Sequence, residues 1–269
     1  MFSFEKKQAS STLRGIRRWG LALVSVGLVS STSFAEAPRV ISADPYVNDI
    51  FIPNGFDDND NIEFVLAGFL PDTCYRAGQA RYSLDEARKV ISIEATAFDY
   101  THSDRVCLQV LTPFMFKVGV GLLEIGDYAV TLKSSDGSSQ RVETLHVAKS
   151  TSRAPDDFLY APVVNASAKQ LGSEKIKIDL EGTYPSMFRG CMVMKEVKTI
   201  TDQSGIVVVQ PIAEVVDDNR CLDQQKDFKV STETAFKIEG STLLHVRVSN
   251  GLSVNRVLGS AIEIQRPNR

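Results

Sequence analysis

The residues of this chain with the most definite chemistry are its four cysteines. Cys74 and Cys107 are 33 positions apart, and Cys191 and Cys221 are 30 apart. Zinc sites use close pairs such as Cys-x-x-Cys, which these spacings do not provide. Well-separated cysteines in even number are typical of disulfides in exported proteins. We therefore predict the disulfides Cys74–Cys107 and Cys191–Cys221 and no cysteine nucleophile.

An acidic loop is the second group of residues that could do chemistry. Asp57, Asp58 and Asp60 lie in the sequence Phe-Asp-Asp-Asn-Asp-Asn, which is rich in the oxygen ligands that calcium prefers. The loop lacks the central glycine and the terminal bidentate glutamate of a helix-loop-helix calcium site. We favour a solvated turn here and keep a calcium site as the alternative. No other cofactor is predicted.

The motifs of common enzyme classes are missing from the sequence. His102, His146 and His245 are scattered, and there is no glycine-x-serine-x-glycine elbow, phosphate-binding loop or paired-histidine zinc motif. Carboxylates could form a glycosidase pair, but the sequence does not place two of them at the required separation. We predict that the protein is not an enzyme and keep an undetected enzyme as an alternative.

Residues 1–35 have the pattern of a secretory signal peptide. Basic residues precede an apolar run at 19–29, and Ser33-Phe34-Ala35 supplies small residues at the two positions that a signal peptidase reads. The apolar run is shorter than the roughly 18 residues that span a membrane, so an uncleaved anchor is the weaker alternative. We predict cleavage after Ala35, no membrane span or lipid anchor, and a periplasmic or extracellular location.

The predicted mature chain is acidic. The full chain has a formal net charge of −3. Removing residues 1–35 takes away five basic residues and one acidic residue, Glu5, which leaves a net charge of −7. An acidic chain without a basic cluster is a poor ligand for nucleic acids and for anionic membranes. The expected partner is therefore a protein or a glycan.

A repeat divides the predicted mature chain into two parts. Landmarks in the first part recur 114 positions later in the second. The matched pairs are Cys107-Leu108 with Cys221-Leu222, Phe114 with Phe228, Gly126 with Gly240, and Asp136-Gly137 with Asn250-Gly251. A constant offset over several landmarks indicates two copies of one unit. We assign 36–149 to a first domain, the polar segment 150–156 to a linker, and 157–269 to a second domain.

The hydrophobic pattern indicates strands in both copies. Ile91, Ile93 and Ala95 alternate with polar residues, and both Asp136-Gly137 and Asn250-Gly251 have the composition of hairpin turns. Short strands at regular spacing, with glycine and Asx turns and no amphipathic helix, are typical of β-sandwiches. The sequence therefore predicts an all-β fold.

One predicted strand of the first copy carries apolar residues on its outer face. We expect it to start near Val106-Cys107 and to turn one parity of its residues to the core. These core positions are Leu108, Val110, Phe114, Phe116, Val118 and Val120. Leu111 and Met115 then face away and are candidates for a contact surface with the other domain or with a partner. A bulge at Pro113 would instead turn Met115 inward.

The segment that leads into a later strand carries a family resemblance. Residues 122–130, Leu-Leu-Glu-Ile-Gly-Asp-Tyr-Ala-Val, resemble the leucine-x-x-glycine-x-tyrosine start of a late strand in many bacterial immunoglobulin-like domains. The resemblance implies two tandem immunoglobulin-like β-sandwich domains. It also implies that the Tyr128 hydroxyl bonds back to the main chain. In the second copy, Thr242 stands in the place of this tyrosine.

These observations favour a non-catalytic, exported interaction protein built of two β-sandwich modules. One alternative is a secreted protease inhibitor, because immunoglobulin-like sandwiches can present loops to an active-site cleft. Another is a pilus-assembly chaperone, since Arg39-Val40-Ile41 resembles the early arginine-bearing strand of that family. A fold alone does not decide among these functions.

Overall fold

The computed structural model describes residues 37–103, 105–154, 156–187, 190–201, 204–217 and 225–259. The predicted signal peptide lies outside these residues. Within them the regular structure consists of β-strands and short 3-10 turns, which confirms the all-β prediction. The strands are β1 (Arg39–Ser42), β2 (Val47–Phe51), β3 (Ile62–Leu70), β4 (Tyr75–Asp85), β5 (Val90–Asp99), β6 (Thr112–Gly121), β7 (Gly126–Lys133), β8 (Ser139–Val147), β9 (Val163–Leu171), β10 (Lys175–Tyr184), β11 (Cys191–Thr201), β12 (Ile206–Val216), β13 (Lys226–Ala235), β14 (Thr242–Val248) and β15 (Leu252–Leu258). In this described part of the chain, no helix has the length and apolar character needed to cross a membrane.

Strands β1 to β8 form two sheets that share a core. One sheet contains β2, β3 and β6, and the other contains β4, β5, β7 and β8, with β1 added to β5. Because alternate residues of a strand point to the same face, each sheet turns one set of apolar side chains toward the other. Fully buried members of this core include Phe64, Leu66, Ile91, Ile93 and Val130.

Strands β9 to β15 repeat this pairing scheme. β9, β10 and β13 form a three-stranded sheet, and β11, β12, β14 and β15 form a four-stranded one. In each strand set one pair is parallel, β5 with β7 and β12 with β14. Strand β13 begins 114 positions after β6, which is the offset of the sequence repeat. The division into two immunoglobulin-like domains remains a prediction.

The two strand sets contact each other through an apolar cluster, and the described residues of both belong to one compact unit. The buried members of this cluster are Phe51, Val65, Ala67, Ile206, Val208 and Leu243. Strand β3 is therefore buried on both faces, since one face meets its own core and the other meets the second strand set. This explains why its sequence is a nearly continuous apolar run rather than an alternation.

Strand β6 begins later than the sequence predicts. It starts at Thr112 rather than near Val106-Cys107, and Leu108 and Val110, which we expected in the core, are exposed. The reason is that the partner strand β3 ends at Leu70, which pairs with Thr112, so the preceding residues have no strand to pair with. The expected core positions that are buried or half-buried are Phe114, Phe116, Val118 and Val120.

Both hairpin turns expected from the sequence are present. The Gly137 N–H donates to the Ser134 carbonyl at 3.0 Å in the turn between β7 and β8. Between β14 and β15, Asn250 and Gly251 have φ angles of 65° and 64°. A type I′ turn needs positive φ at both central residues, and the Asn-Gly pair tolerates this.

Candidate functional site

The loop between β5 and β6 is fixed to the segment before β4. The predicted disulfide between Cys74 and Cys107 is confirmed. Beside it, the Leu108 N–H donates to the Thr73 hydroxyl at 2.9 Å, and the Leu108 carbonyl accepts from the Thr73 N–H at 3.2 Å. We call residues 105–111 the pinned loop, because a covalent bond and two hydrogen bonds hold its middle in place.

The pinned loop exposes its apolar side chains. The exposed fraction is 86% for Val106, 60% for Leu108, 50% for Val110 and 56% for Leu111. Apolar side chains scattered singly over a surface are normal, but several gathered on one short segment are typical of a contact surface. Leu111 was predicted to be such a contact residue and is exposed; its contact with a partner remains a prediction.

Met115 extends this exposed apolar surface along β6. Its exposed fraction is 44%, and it pairs with Ala67, a member of the apolar cluster between the strand sets. Pro113 pairs with Phe69 in unbroken register, so the bulge that would turn Met115 inward does not form. Met115 therefore lies between the pinned loop and the contact of the two strand sets.

Two arginines lie at the start of the pinned loop: Arg105 is its first residue, and Arg76 is on β4. The guanidinium carbon of Arg105 lies 4.6 Å from the centroid of the Tyr100 ring, and that of Arg76 lies 5.9 Å from it. Both arginines are exposed. Within the described part of the chain, neither guanidinium forms an ion pair or a hydrogen bond. Their attraction to the face of the Tyr100 ring is the contact that positions them.

A polar cluster, in which Glu63, His245 and Asn255 are buried and Lys117 is exposed, joins the strand sets beside the apolar cluster. Glu63 on β3 accepts hydrogen bonds from the side chains of Asn255, at 2.7 Å, and of Ser253 on β15. The ammonium group of Lys117 on β6 lies 2.9 Å from the same carboxylate. Nδ1 of His245 on β14 lies 2.8 Å from Asn255 Oδ1 and 3.5 Å from Glu63 Oε1. We call these five residues the Glu63 cluster.

Burial and hydrogen bonding set the charges of the Glu63 cluster. Burial lowers the pKa of His245 to about 4, so its imidazole is neutral at neutral pH. Both atoms near its Nδ1 are acceptors, which assigns the proton to Nδ1. Burial alone would raise the pKa of Glu63, but the hydrogen bonds from Ser253, Asn255 and Lys117 outweigh it and hold that pKa below its usual value.

A buried ion pair crosses the same contact. Nη1 of Arg247 on β14 lies 3.1 Å from Oδ2 of Asp60, and both side chains are less than a tenth exposed. Nη2 of Arg247 donates to the Gly55 carbonyl, and its guanidinium lies 5.0 Å from the centroid of the Phe56 ring. Burial raises the pKa of Asp60, with Arg247 opposing it. Each partner would be a buried unpaired charge without the other.

The space between these polar groups is too small for a substrate. The cavity has a volume of about 20 Å³, which is room for one water molecule. Ser253 bonds to Glu63 and Lys117, whereas His245 bonds to Asn255, so this serine and this imidazole are not arranged as a nucleophile and its base. The contacts of these polar groups hold one strand set against the other.

The acidic loop belongs to this contact and is not a solvated turn. Asp57 and Asp60 are buried, and the Asp57 N–H donates to the Asp60 carboxylate at 3.1 Å. Asp58 accepts from the Ser150 N–H at 2.8 Å. Burial raises the pKa of Asp57, and the hydrogen bonds from Ser150 lower the pKa of Asp58. The expectation of solvation was wrong because the second strand set covers the loop; a calcium site there remains a prediction.

The second predicted disulfide joins Cys191 to Cys221. Cys191 is disulfide-bonded, and its predicted partner, Cys221, lies outside the described residues. Among the residues that the structure describes, the group that could offer three metal ligands is Asp72 with Cys74 and Cys107. The two cysteines of that group share a disulfide, so they present no thiolate to a metal.

The start of β7 differs from the start of β14. The Tyr128 hydroxyl donates to the Glu124 carbonyl at 3.0 Å, which is the kind of main-chain bond that the family resemblance implies. Burial raises the pKa of Tyr128, so the phenol keeps its proton. At the equivalent position Thr242 is fully buried, and its hydroxyl has no hydrogen-bond partner among the described residues. Thr242 therefore does not make a bond equivalent to the one between the Tyr128 hydroxyl and the Glu124 carbonyl.

Sequence reasoning missed the Glu63 cluster and Arg247. The available signal was polar residues inside apolar strands: Glu63 interrupts the start of β3, and His245 and Arg247 alternate with apolar residues in β14. An alternating strand is normally interpreted as having one solvent-facing side. In β14 both sides are buried, so the polar side faces the other strand set.

Comparison with known proteins bears on the first strand set. A family model described as the ORF11 beta-sandwich domain matches residues 64–144, which run from β3 into β8. The match covers less than a third of the chain and supports a β-sandwich in that region. No curated protein and no solved structure shows significant similarity to the chain.

Proposed function

We propose that this protein is a non-catalytic interaction protein that binds a partner protein through the pinned loop. The observation that carries the proposal is the exposure of four apolar side chains on a segment held by a disulfide. A free loop loses conformational freedom when it binds, which weakens affinity. The pinned loop has already lost much of that freedom on folding. Less of the free energy gained from its apolar contacts is therefore offset by a loss of conformational entropy on binding.

The chemistry of the loop favours a protein over a glycan. Full burial of a valine or leucine side chain is worth about 1.5–3 kcal/mol, and these side chains could form the dry centre of an interface. Sugar hydroxyl groups need hydrogen-bonding partners, which Val106, Leu108, Val110 and Leu111 do not supply.

The proposal includes export and a tandem arrangement. Removal of residues 1–35 would deliver the chain to an oxidising compartment, where a disulfide such as Cys74–Cys107 persists. We also propose that 36–149 and 157–269 are immunoglobulin-like domains joined by 150–156. Support comes from the shared pairing scheme of the two strand sets and from the bond of Tyr128 to the main chain.

Site-specific photo-crosslinking tests the loop as the binding site. A photoreactive amino acid is placed at Val110 in the full chain, which is expressed in the organism that produces it. The matched control carries the same group at Val164 on β9, an apolar position that is more exposed. We expect one dominant protein adduct from position 110 and none from position 164. The same adducts from both positions, or none from position 110, would contradict the proposal.

A protease inhibitor is the second candidate function, and the disulfide beside the exposed residues favours it. A cleft-binding loop held at Cys107 and Leu108 would keep its shape in a protease and resist release after cleavage. The test is inhibition of elastase-type and chymotrypsin-type proteases, whose primary pockets accept apolar residues. Tight inhibition that disappears in Val110→Asp/Leu111→Asp would support it, whereas ordinary cleavage of the loop would exclude it.

A further inference from the structure

We infer that the partner segment is acidic as well as apolar, and that Arg76 and Arg105 bind its carboxylate groups. The inference rests on the proposed function of the pinned loop. It adds the charge and the hydrogen-bonding chemistry of the partner, which the loop alone does not define.

The two arginines differ from the paired basic side chains elsewhere in the strand sets. Lys117, Lys177 and Lys229 each lie within 3.0 Å of a carboxylate oxygen. Arg76 and Arg105 have no such partner within the described residues, although the chain as a whole is acidic. The N–H groups of these two exposed guanidiniums at the start of an apolar loop are therefore available to a partner.

The disulfide places both arginines at the start of this loop. Arg76 follows Cys74 by two residues and Arg105 precedes Cys107 by two, so the covalent bond holds the two main-chain segments together. The Tyr100 ring lies under both guanidinium groups. Stacking uses the face of a guanidinium and leaves the N–H groups on its edge free for bidentate bonds to a carboxylate. The arginines are thus positioned before any partner arrives.

The same observations favour a protein segment over an anionic membrane. The chain carries a net negative charge, and a negative bilayer surface would repel most of it. A local positive border can still attract a single acidic segment, because opposite charges that meet across an interface guide association. A membrane would also gain little from a loop that a disulfide holds in one shape, whereas a protein surface needs such a shape.

An array of synthetic 12-residue peptides tests the inference directly. Each peptide has a leucine- and valine-rich centre, and its flanking positions carry glutamate, glutamine or lysine. The probe is the full disulfide-bonded chain without residues 1–35, labelled with a fluorophore. We expect glutamate-flanked peptides to bind roughly tenfold more tightly than their lysine-flanked counterparts, with the preference falling as salt is raised.

Matched variants assign the preference to the arginines. Arg76→Gln/Arg105→Gln should remove the preference for glutamate. Arg88→Gln/Arg153→Gln makes the same change of net charge at exposed positions outside the pinned loop and should leave the preference unchanged. Thermal unfolding of all variants verifies that they fold, as expected for exposed side chains.

The outcomes separate this inference from the proposed function. If Leu108→Ser/Leu111→Ser abolishes binding of every peptide but the Arg76→Gln/Arg105→Gln variant keeps the glutamate preference, the inference is overturned and the proposed function stands. If the loop variant binds like the parent protein, both are overturned. Co-sedimentation with phosphatidylglycerol vesicles, combined with equal binding of acidic and basic peptides, would overturn the inference in favour of a membrane surface.

Discussion

The pinned loop and the Glu63 cluster depart from the usual rule that apolar side chains are buried and polar side chains are exposed, and they do so in opposite ways. The loop places apolar side chains in solvent, and the cluster places a carboxylate, an imidazole and an amide between two strand sets. The polar groups of the cluster satisfy one another within the chain. The apolar groups of the loop have no such partners. Buried polar groups that bond to one another indicate a structural role, whereas a group of exposed apolar side chains indicates a surface that binds a partner.

The largest expected effect comes from the buried ion pair that accompanies the Glu63 cluster. Arg247→Met should lower the free energy of unfolding by about 3–5 kcal/mol, because it leaves the Asp60 carboxylate buried without its cation. Urea unfolding at pH 7 measures the loss. The control is Lys229→Met, which removes an exposed partner of Glu181 and should not change stability measurably. Equal losses in the two variants would show that burial does not distinguish them.

Removal of the disulfide tests the loop side of the comparison. Cys74→Ser/Cys107→Ser should lower the free energy of unfolding by about 3–4 kcal/mol, because the bond joins residues 33 positions apart and so restricts the unfolded chain. The Leu108 amide should also exchange with solvent faster, while amides of β14 keep their protection. Leu108→Ser/Leu111→Ser, which leaves the disulfide intact, should change stability little. A large loss in that control would show that the apolar side chains belong to the core.

Acid should weaken the contact at the Glu63 cluster. The pKa of His245 is about 4 in the folded protein and about 6.5 in the unfolded chain. Below pH 6.5 the unfolded chain binds a proton that the folded protein does not, so the free energy of unfolding falls as pH decreases toward 4. The shift corresponds to at most about 3 kcal/mol.

The contribution of His245 is measured by comparing the pH dependence of the free energy of unfolding in the parent protein and in His245→Gln. The raised pKa values of Asp57, Asp60 and Asp156 act in the opposite direction near their own titrations, so the slope of the parent protein alone mixes both signs. His245→Gln removes the imidazole titration, and unfolding of both proteins is followed between pH 7 and pH 4. Parallel curves would mean that the histidine does not contribute.

The smallest effect compares two hydroxyl groups at equivalent positions. Tyr128→Phe should cost about 1 kcal/mol, because the Glu124 carbonyl loses its donor. Thr242→Val should cost nothing or stabilise slightly, since the buried threonine hydroxyl has no partner to lose within the described part of the chain. Thermal unfolding of the two variants gives the comparison. A loss in Thr242→Val as large as in Tyr128→Phe would show that the threonine hydroxyl is bonded in solution.

Local signals in the sequence were sufficient for some features. The spacing of Cys74 and Cys107 predicted their disulfide, and Asn250-Gly251 predicted a turn whose φ values only such residues adopt easily. The alternation of Ile91, Ile93 and Ala95 predicted one buried face of β5. Each of these features depends on residues close in the sequence or on one strong chemical preference.

Other features depended on residues far apart in the chain. The start of β6 is set by where β3 ends, which the sequence around Val106 does not contain. The acidic loop is buried because Arg247, nearly 190 positions later, lies against Asp60. Glu63 and His245 likewise meet only when the two strand sets pack. Periodicity within one strand cannot reveal which second surface its outer face will meet.

The connection between the strand sets has a kinetic consequence. The Asn59 side chain donates to the carbonyls of Ser152 and Ala154, so the connecting segment is itself bonded to the acidic loop. A short tether keeps two surfaces at a high effective concentration relative to each other, of the order of millimolar. Opening of the contact is then followed by rapid reclosure rather than by separation. Proteolytic cleavage at 150–154 would turn the same contact into an ordinary bimolecular complex that falls apart on dilution.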